Sequence, residues 1–387
     1  MNDMIEGKTK KREICIIMLG IFLLVSTPFF SIMPNLTSAS KTSQEIDITP
    51  TEENTCNCNT FIDGEHALGL LPGFPPDFEP PQPTTITGNP PASWDWRSVN
   101  GQDWTTPIKD QKNCGSCYVF AIIAALETVY NIKNNNPNLD IDLSEQFVVS
   151  SNYSYLLDSF NYSGCCGRHI LSTVQFLRLR GTIEEKYFQY AAVDAYGRNY
   201  SDCPNSTSAG VPSHDPVFCP DDCSKYEKIK IKGRYYLPND EETVKNAVAA
   251  YGPVITGMTI YEDFYYNYNY GIYEHVYGDS VGSHAIAIVG YNDSLEDLNQ
   301  PGYWICRNSW GTDWGETKNG EPNNGNDGGW FRVKYGEIDI SYNNNCLYFK
   351  DYVKVKQKSY TAKNDFLVGF AHNYPYLFQL FQRFLNL

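Results

Sequence analysis

Basic residues are in short supply. Thirty lysines and arginines face 45 aspartates and glutamates, for a formal net charge of −15. A phosphate backbone needs a cationic face, so this balance excludes nucleic acid as a partner of the chain as a whole. Long runs of one sign are also missing, and the charge reads as an ordinary solvated surface that favours solubility. No long internal repeat is present, which sets aside a repeat architecture. Histidine is scarce, with six in the chain, and no histidine or further cysteine pair near Cys56-Asn57-Cys58 gives a zinc spacing. Cys56 and Cys58, one residue apart, are poorly placed to bridge each other and are expected to bond elsewhere.

Aromatics and cysteines are plentiful. The 29 tyrosines sit largely in polar loops such as 261–270, where packing with a wet hydroxyl is the expected role. Twelve cysteines are many for a reducing compartment. The start of the chain agrees: Lys8, Lys10, Lys11 and Arg12 precede an apolar stretch at 14–25, and Thr37-Ser38-Ala39 offers small residues for cleavage. That is the layout of a secretory signal over residues 1–39. The rival is a retained anchor, since 14–33 carries no charge and is long enough to span a bilayer. Ser26-Thr27-Pro28 interrupts the stretch and favours cleavage. With Cys15 removed and one nucleophilic thiol set aside, ten cysteines remain, a parity consistent with five bridges.

Residues 40–91 read as a pro-segment or linker. Pro72, Pro75, Pro76, Pro80, Pro81 and Pro83 disfavour helix and sheet alike. An extended strip at 69–74, Gly-Leu-Leu-Pro-Gly-Phe, is a candidate to block a groove; a plain linker is the alternative. Next comes a helix from Cys117 to about Asn131, apolar nearly all round as a buried central helix should be. Residues 142–146 open a second helix with Ser144 as a cap, and 171–179 suggest a third. After about Ile229 the pattern changes to short aromatic or β-branched runs, at 251–254, 285–291, 303–307 and 330–335, which read as strands. Helices first and strands second predict an α+β protein of two lobes with a cleft between them. Residues 194–224, 293–300 and 317–327 read as polar insertions. The tail, 356–387, ends in a segment that could form a short amphipathic helix; its single cation favours self-packing over membrane attachment.

Chemistry concentrates in four places. Cys117 stands at the probable start of the apolar helix, where the helix N-terminus lowers a thiol's pKa. Gln111 precedes it by six residues and could donate an amide to an oxyanion. His284, in Gly282-Ser283-His284-Ala285, is the candidate base, while His169, His214 and His275 lie in loop-like settings without an evident catalytic partner. Asn308, in Arg307-Asn308-Ser309-Trp310-Gly311, could orient the imidazole, with Trp310 shielding the bond.

The order Gln, Cys, His, Asn, and Cys114-Gly115-Ser116-Cys117-Tyr118 against the motif Cys-Gly-Ser/Ala-Cys-Trp/Tyr, resemble the papain-like cysteine peptidases, which include the cathepsins. The resemblance covers about residues 92–350. It implies a helical left lobe, a β-barrel-like right lobe, and an active site of Gln111, Cys117, His284 and Asn308 in the cleft, with Trp310 in support. The peptidase domain would span 92–355. Polypeptide substrates, no cofactor, no metal and a monomer are expected, with peptide hydrolysis through a thioester. A catalytically inactive binding protein on the same fold is the alternative. The resemblance further implies Cys114–Cys165 and, with less support, Cys166–Cys203 disulfides, and a substrate groove bordered by Gly167 and Arg168. Arg168 stands where the family has glycine, so its guanidinium either narrows the groove, attracts an acidic side chain, or swings into solvent. His284 and Asn308 lie 167 and 191 positions beyond Cys117, against about 130–150 in the family; the insertions absorb the excess. A secreted or lumenal location follows, membrane-anchored if the N-terminal segment is retained. Sequons at Asn152, Asn161, Asn199, Asn205 and Asn292 suggest glycosylated loops in a host that glycosylates exports.

Overall fold

A computed structural model of the chain describes residues 66–75, 82–151, 164–203, 214–220, 222–238, 240–293, 302–337, 339 and 346–356. All belong to the second of the chain's two units, Thr55–Leu387. The signal-like segment, Cys56, Cys58, three of the sequons (Asn152, Asn161 and Asn205) and the tail beyond Lys356 lie outside the described residues.

In chain order the elements are β1 (Ser93–Asp95), α1 (Cys117–Lys133), α2 (Gln146–Val149), α3 (Ile170–Leu179), β2 (Lys228–Lys232), β3 (Tyr235–Tyr236), α4 (Glu241–Tyr251), β4 (Val254–Tyr261), α5 (Glu262–Asn267), β5 (Ile272–Tyr273), β6 (Ser280–Asn292), β7 (Tyr303–Arg307), β8 (Trp330–Lys334), β9 (Leu347–Tyr348) and β10 (Asp351–Val355).

One lobe is built around α1. Its first fifteen residues are all buried, because an uninterrupted apolar run has no polar face to offer water. Val119, Ile122, Leu126 and Val129 pack with Val174 and Leu177 of α3 and with Ile229 and Ile231 of β2. Alternation makes this side of β2 apolar: Ile229 and Ile231 point inward and the intervening lysines outward. The other lobe is an eight-stranded sheet in the order β3-β9-β4-β6-β7-β8-β5, with β1 added on β6. Its pairs are antiparallel except β5 with β8. A second core, including Phe264, Ile286, Trp304 and Phe331, fills the space between this sheet, α4 and α5. β10 pairs with β2 in a separate two-stranded ribbon.

Two expectations need correction. Residues 251–253 were expected to begin a strand; they end α4, and the strand starts at Val254. Asp240 caps that helix by accepting the N–H of Thr243 at 2.8 Å, Glu241 and Glu242 sit in its first turn, and Gly252 stops it at φ +132°. Helices are therefore not confined to the first half of the chain. The five-bridge parity also fails, since Cys306 keeps a free thiol, fully buried in mid-strand β7. Ser144 does accept the N–H of Phe147 at 3.1 Å, though the helix it serves has only four residues. The insertion after Ala192 is organised by the buried carboxylate of Asp194, which pairs with Arg198, and it carries a Cys219–Cys223 disulfide.

Candidate active site

Cys117 is the first residue of α1, fully buried, with a free thiol. The loop before it is fixed by a Cys114–Cys165 disulfide, and the N–H of Gly115 donates to Cys165 O at 2.8 Å. Tyr118, in place of the family's commoner tryptophan, donates its hydroxyl to Gly164 O at 2.8 Å and so ties α1 to the same disulfide-bearing turn. Burial pushes the Cys117 thiol up to about 11, while the N–H groups of Ala285, Gly69, Tyr118 and Cys117 itself pull the other way. Ala285 follows His284 on β6, so the strand that carries the imidazole reaches the sulfur.

His284 is fully buried opposite Met258 of β4. Its Nε2–H donates to Asn308 Oδ1 at 2.7 Å. The same oxygen accepts the N–H of Ser309 at 2.7 Å, which fixes the amide's orientation and with it the tautomer. The Trp310 ring lies 4.7 Å from the imidazole and is itself boxed by Phe264, Tyr265 and Trp314. His284 Nδ1 has no hydrogen-bond partner among the described residues. Burial lowers the imidazole to about 4; the bond to Asn308 works against that and a charge on His66 adds to it.

Gln111 joins the two lobes. Its backbone N–H donates to Ser309 O at 2.8 Å, and its Oε1 accepts the Ser309 hydroxyl at 2.6 Å. Its Nε2 donates to Cys114 O at 2.9 Å and to Ala67 O at 2.8 Å. Ser309 and Tyr190, whose hydroxyl donates to Gln111 O at 2.8 Å, were missed by sequence reading. Neither residue type carries a signal without the fold that brings it there.

Residues 66–75 lie across this site. Leu70 N donates to Ser283 O at 3.3 Å, Leu71 N to Arg168 O at 3.3 Å, and Arg168 N to Gly69 O at 3.0 Å. Leu70 and Arg168 thus form a parallel bridge. His66 stacks on Trp310 at 4.6 Å, and its backbone N and O both bond the Tyr265 hydroxyl. At the crossing two glycines meet: a Cβ on Gly69 would fall 1.8 Å from Gly115 O. Gly167, at φ +92°, leaves the same strip its passage, since a Cβ there would fall 2.7 Å from Gly69 O. Arg168 is only 2% exposed, so its side chain is not swung into solvent. A Cys166–Cys203 disulfide lies beside Ala67 and Tyr200.

The model of the papain family cysteine proteases matches residues 90–344. The chain belongs to the papain family of cysteine proteases. Falcipain-2a of Plasmodium falciparum is 32% identical over 232 residues, 58% of this chain and 40% of the relative. Cathepsin B-like CP1 of Giardia intestinalis is 30% identical over 250 residues, 64% of this chain and 69% of the relative. The solved procathepsin L 3 of Tenebrio molitor larval midgut is 22% identical, covers 76% of this chain and 77% of its own, and superposes with a TM-score of 0.48. The chain therefore spans about two fifths of the length of the falcipains it matches.

Beneath the papain-family site lies a buried charge network. Lys109 Nζ donates to Glu127 and Glu145 at 3.0 Å each and pairs with Asp142 at 2.7 Å. Glu127, on α1, also accepts the Thr106 hydroxyl at 2.5 Å and the N–H of Leu143 at 2.8 Å. Arg307, next to Asn308, donates to Thr106 O at 2.8 Å and to Pro107 O. Burial works against the Lys109 ammonium, but the three carboxylates outweigh it and raise its pKa. Burial also raises Glu145, against the pull of Lys109. The network anchors α1, which begins at Cys117, to β7, which ends at Arg307 beside Asn308.

Proposed function

We propose that this chain is the latent precursor of an exported cysteine peptidase, in which Cys117 attacks peptide carbonyls and residues 66–75 occupy the groove until they are removed. The observation that carries this reading is the Ala67 carbonyl. It accepts from Gln111 Nε2 beside the free Cys117 thiol, where a substrate carbonyl oxygen would be held. Residues 1–39 direct export, 40–91 form the pro-segment, and 92–355 form the peptidase domain.

The chemistry follows from the parts. With the strip in place, the thiol and the imidazole are both buried and neutral. Opening the groove admits water and lifts the desolvation that held them neutral, so the proton passes from Cys117 to His284. The thiolate attacks, and Gln111 with the Cys117 backbone N–H receives the developing oxyanion. His284 gives its proton to the departing amine, then takes one from the water that cleaves the thioester. Asn308 holds the ring for both transfers, and the Trp310 indole keeps water from that bond.

The test is alkylation by an epoxide selective for activated thiolates. The processed enzyme should label at Cys117 and hydrolyse peptides, the intact precursor should do neither, and Cys117→Ala should abolish both. A peptide of residues 40–91 added to the processed enzyme should inhibit it. Labelling that persists in Cys117→Ala would refute the assignment. A processed protein that neither labels nor hydrolyses would be an inactive binding protein on this fold.

A further inference from the structure

Ser116 is the N-cap of α1, yet its hydroxyl makes no capping bond. A serine in that place ordinarily accepts the N–H of the second or third helical residue. Here the hydroxyl stands 2.7 Å from the hydroxyl of Tyr190. Tyr190 spends its one proton on Gln111 O at 2.8 Å, so its oxygen accepts from Ser116. The other acceptor near Ser116 Oγ, Cys114 O, is farther away at 3.3 Å. One phenol thus holds the segment 111–116 at both of its ends.

Each end leads to one donor of the oxyanion site. Gln111 carries the side-chain amide, and Ser116 immediately precedes Cys117, whose backbone N–H is the second donor. Two donors serve one oxygen only if their separation is held to a few tenths of an ångström. Tyr190 is itself held from several sides. Its N–H donates to Glu185 Oε1 at 2.6 Å, and its ring packs edge-on against Phe120 of α1 at 4.9 Å. The N–H of Ala191 donates to Gln146 Oε1 of α2 at 2.8 Å. Burial raises the phenol's pKa, so the hydroxyl keeps the proton that Gln111 O receives.

We propose that Tyr190 is a positioning residue for peptide hydrolysis: its hydroxyl clamps Gln111 to Ser116 and so sets the gap between the two oxyanion donors. The proposal rests on the reading of Cys117 as nucleophile and Gln111 as oxyanion donor. Packing would need only the ring. The hydroxyl pair, formed by a serine that forgoes its cap, favours a clamp.

Steady-state kinetics of the processed enzyme test this, beside the rate at which a pyridyl disulfide modifies Cys117. That exchange reports the thiolate and forms no oxyanion. Tyr190→Phe keeps the ring and removes the hydroxyl. It should lower kcat about tenfold, part of the loss for a whole donor, with KM little changed. Its disulfide rate should equal that of wild type. Placed on Gln111→Ala, the same substitution should cost almost nothing more, because the donor it positions is gone. Ser116→Ala cuts the other arm and should also lower kcat with KM unmoved; it decides the matter alone if Tyr190→Phe does not fold. The clamp is overturned if kcat survives these changes. It is overturned too if the loss from Tyr190→Phe is as large on Gln111→Ala as on wild type, or if the disulfide rate falls with kcat, since either marks a general structural role. A processed wild type inert to both peptide and disulfide would sink the reading of Cys117 itself, and the clamp with it.

Discussion

Gly69 and Gly115 decide whether the strip can lie in the groove at all. The two backbones cross so closely that one added carbon on Gly69 would fall inside the van der Waals shell of a carbonyl oxygen. Gly69→Val should therefore lift the strip, and the unprocessed precursor should label with epoxide as the mature enzyme does. Continued latency of that variant would count against the strip as the block. In the processed enzyme, Gln111→Ala should lower kcat by about a hundredfold, the usual loss for one oxyanion donor. The residues of this site were legible because a short motif surrounds each: Cys117, His284 and Asn308 each sit in a local signature. Arg168 was not. Its backbone is bonded to a strip about a hundred positions away in the chain, and nothing in its own sequence neighbourhood says which of three fates its side chain meets.

Among the elements, α1 carries the most. It is the spine of one lobe and carries Cys117 at its first position, and its one buried carboxylate, Glu127, is held by Lys109, Thr106 and Leu143. Glu127→Ala leaves the Lys109 ammonium short of its fully buried partner, and should cost about 3–5 kcal/mol in urea unfolding. A loss below 1 kcal/mol would mean Asp142 and Glu145 suffice. α1 was readable as a long apolar run. α4 escaped because its apolar positions are spaced among polar ones, although Asp240, Glu241 and Glu242 spelled out its beginning. Asp240→Ala should cost about 1 kcal/mol, measured the same way. β6, β7 and β8 were read in advance where aromatic or β-branched residues clustered; β2, β3, β5, β9 and β10 were not, each being only two to five residues long. The order of the strands in the sheet was not read either, because pairing β1 with β6 is a choice between distant segments that no local pattern records.

For the molecule as a whole, two buried groups set opposing pH limits. The folded value of His284, about 4, lies below its ordinary 6.5, so the unfolded chain takes up that proton first as the solution is acidified. The stability it contributes is complete above 6.5 and is lost as pH falls towards 4. Glu145 is raised above 4.5 by burial, so its contribution is complete below 4.5 and declines as pH rises. The precursor's urea midpoint should hold between 4.5 and 6.5, fall below that range and fall again above it. A midpoint that climbs steadily to neutral pH would show that Glu145 is not burdened as described. At this scale the two-lobed plan and the extended character of 69–74 could be read in advance, the latter from Pro72 and the prolines that follow at 75 and 76. The path of the strip could not, because its partners, Ser283, Arg168, Gln111 and Tyr265, come from both lobes.

The strip at 66–75 and the domain it covers are one covalent chain. An inhibitor joined to its target stays at the same local concentration however far the solution is diluted. The precursor should thus remain silent even at trace levels in a large volume. A single cut between residues 75 and 82 would change the law that governs it, turning a unimolecular equilibrium into a bimolecular one. Cleaved enzyme held concentrated would stay largely quiet, and the same sample would become active simply on being dispersed.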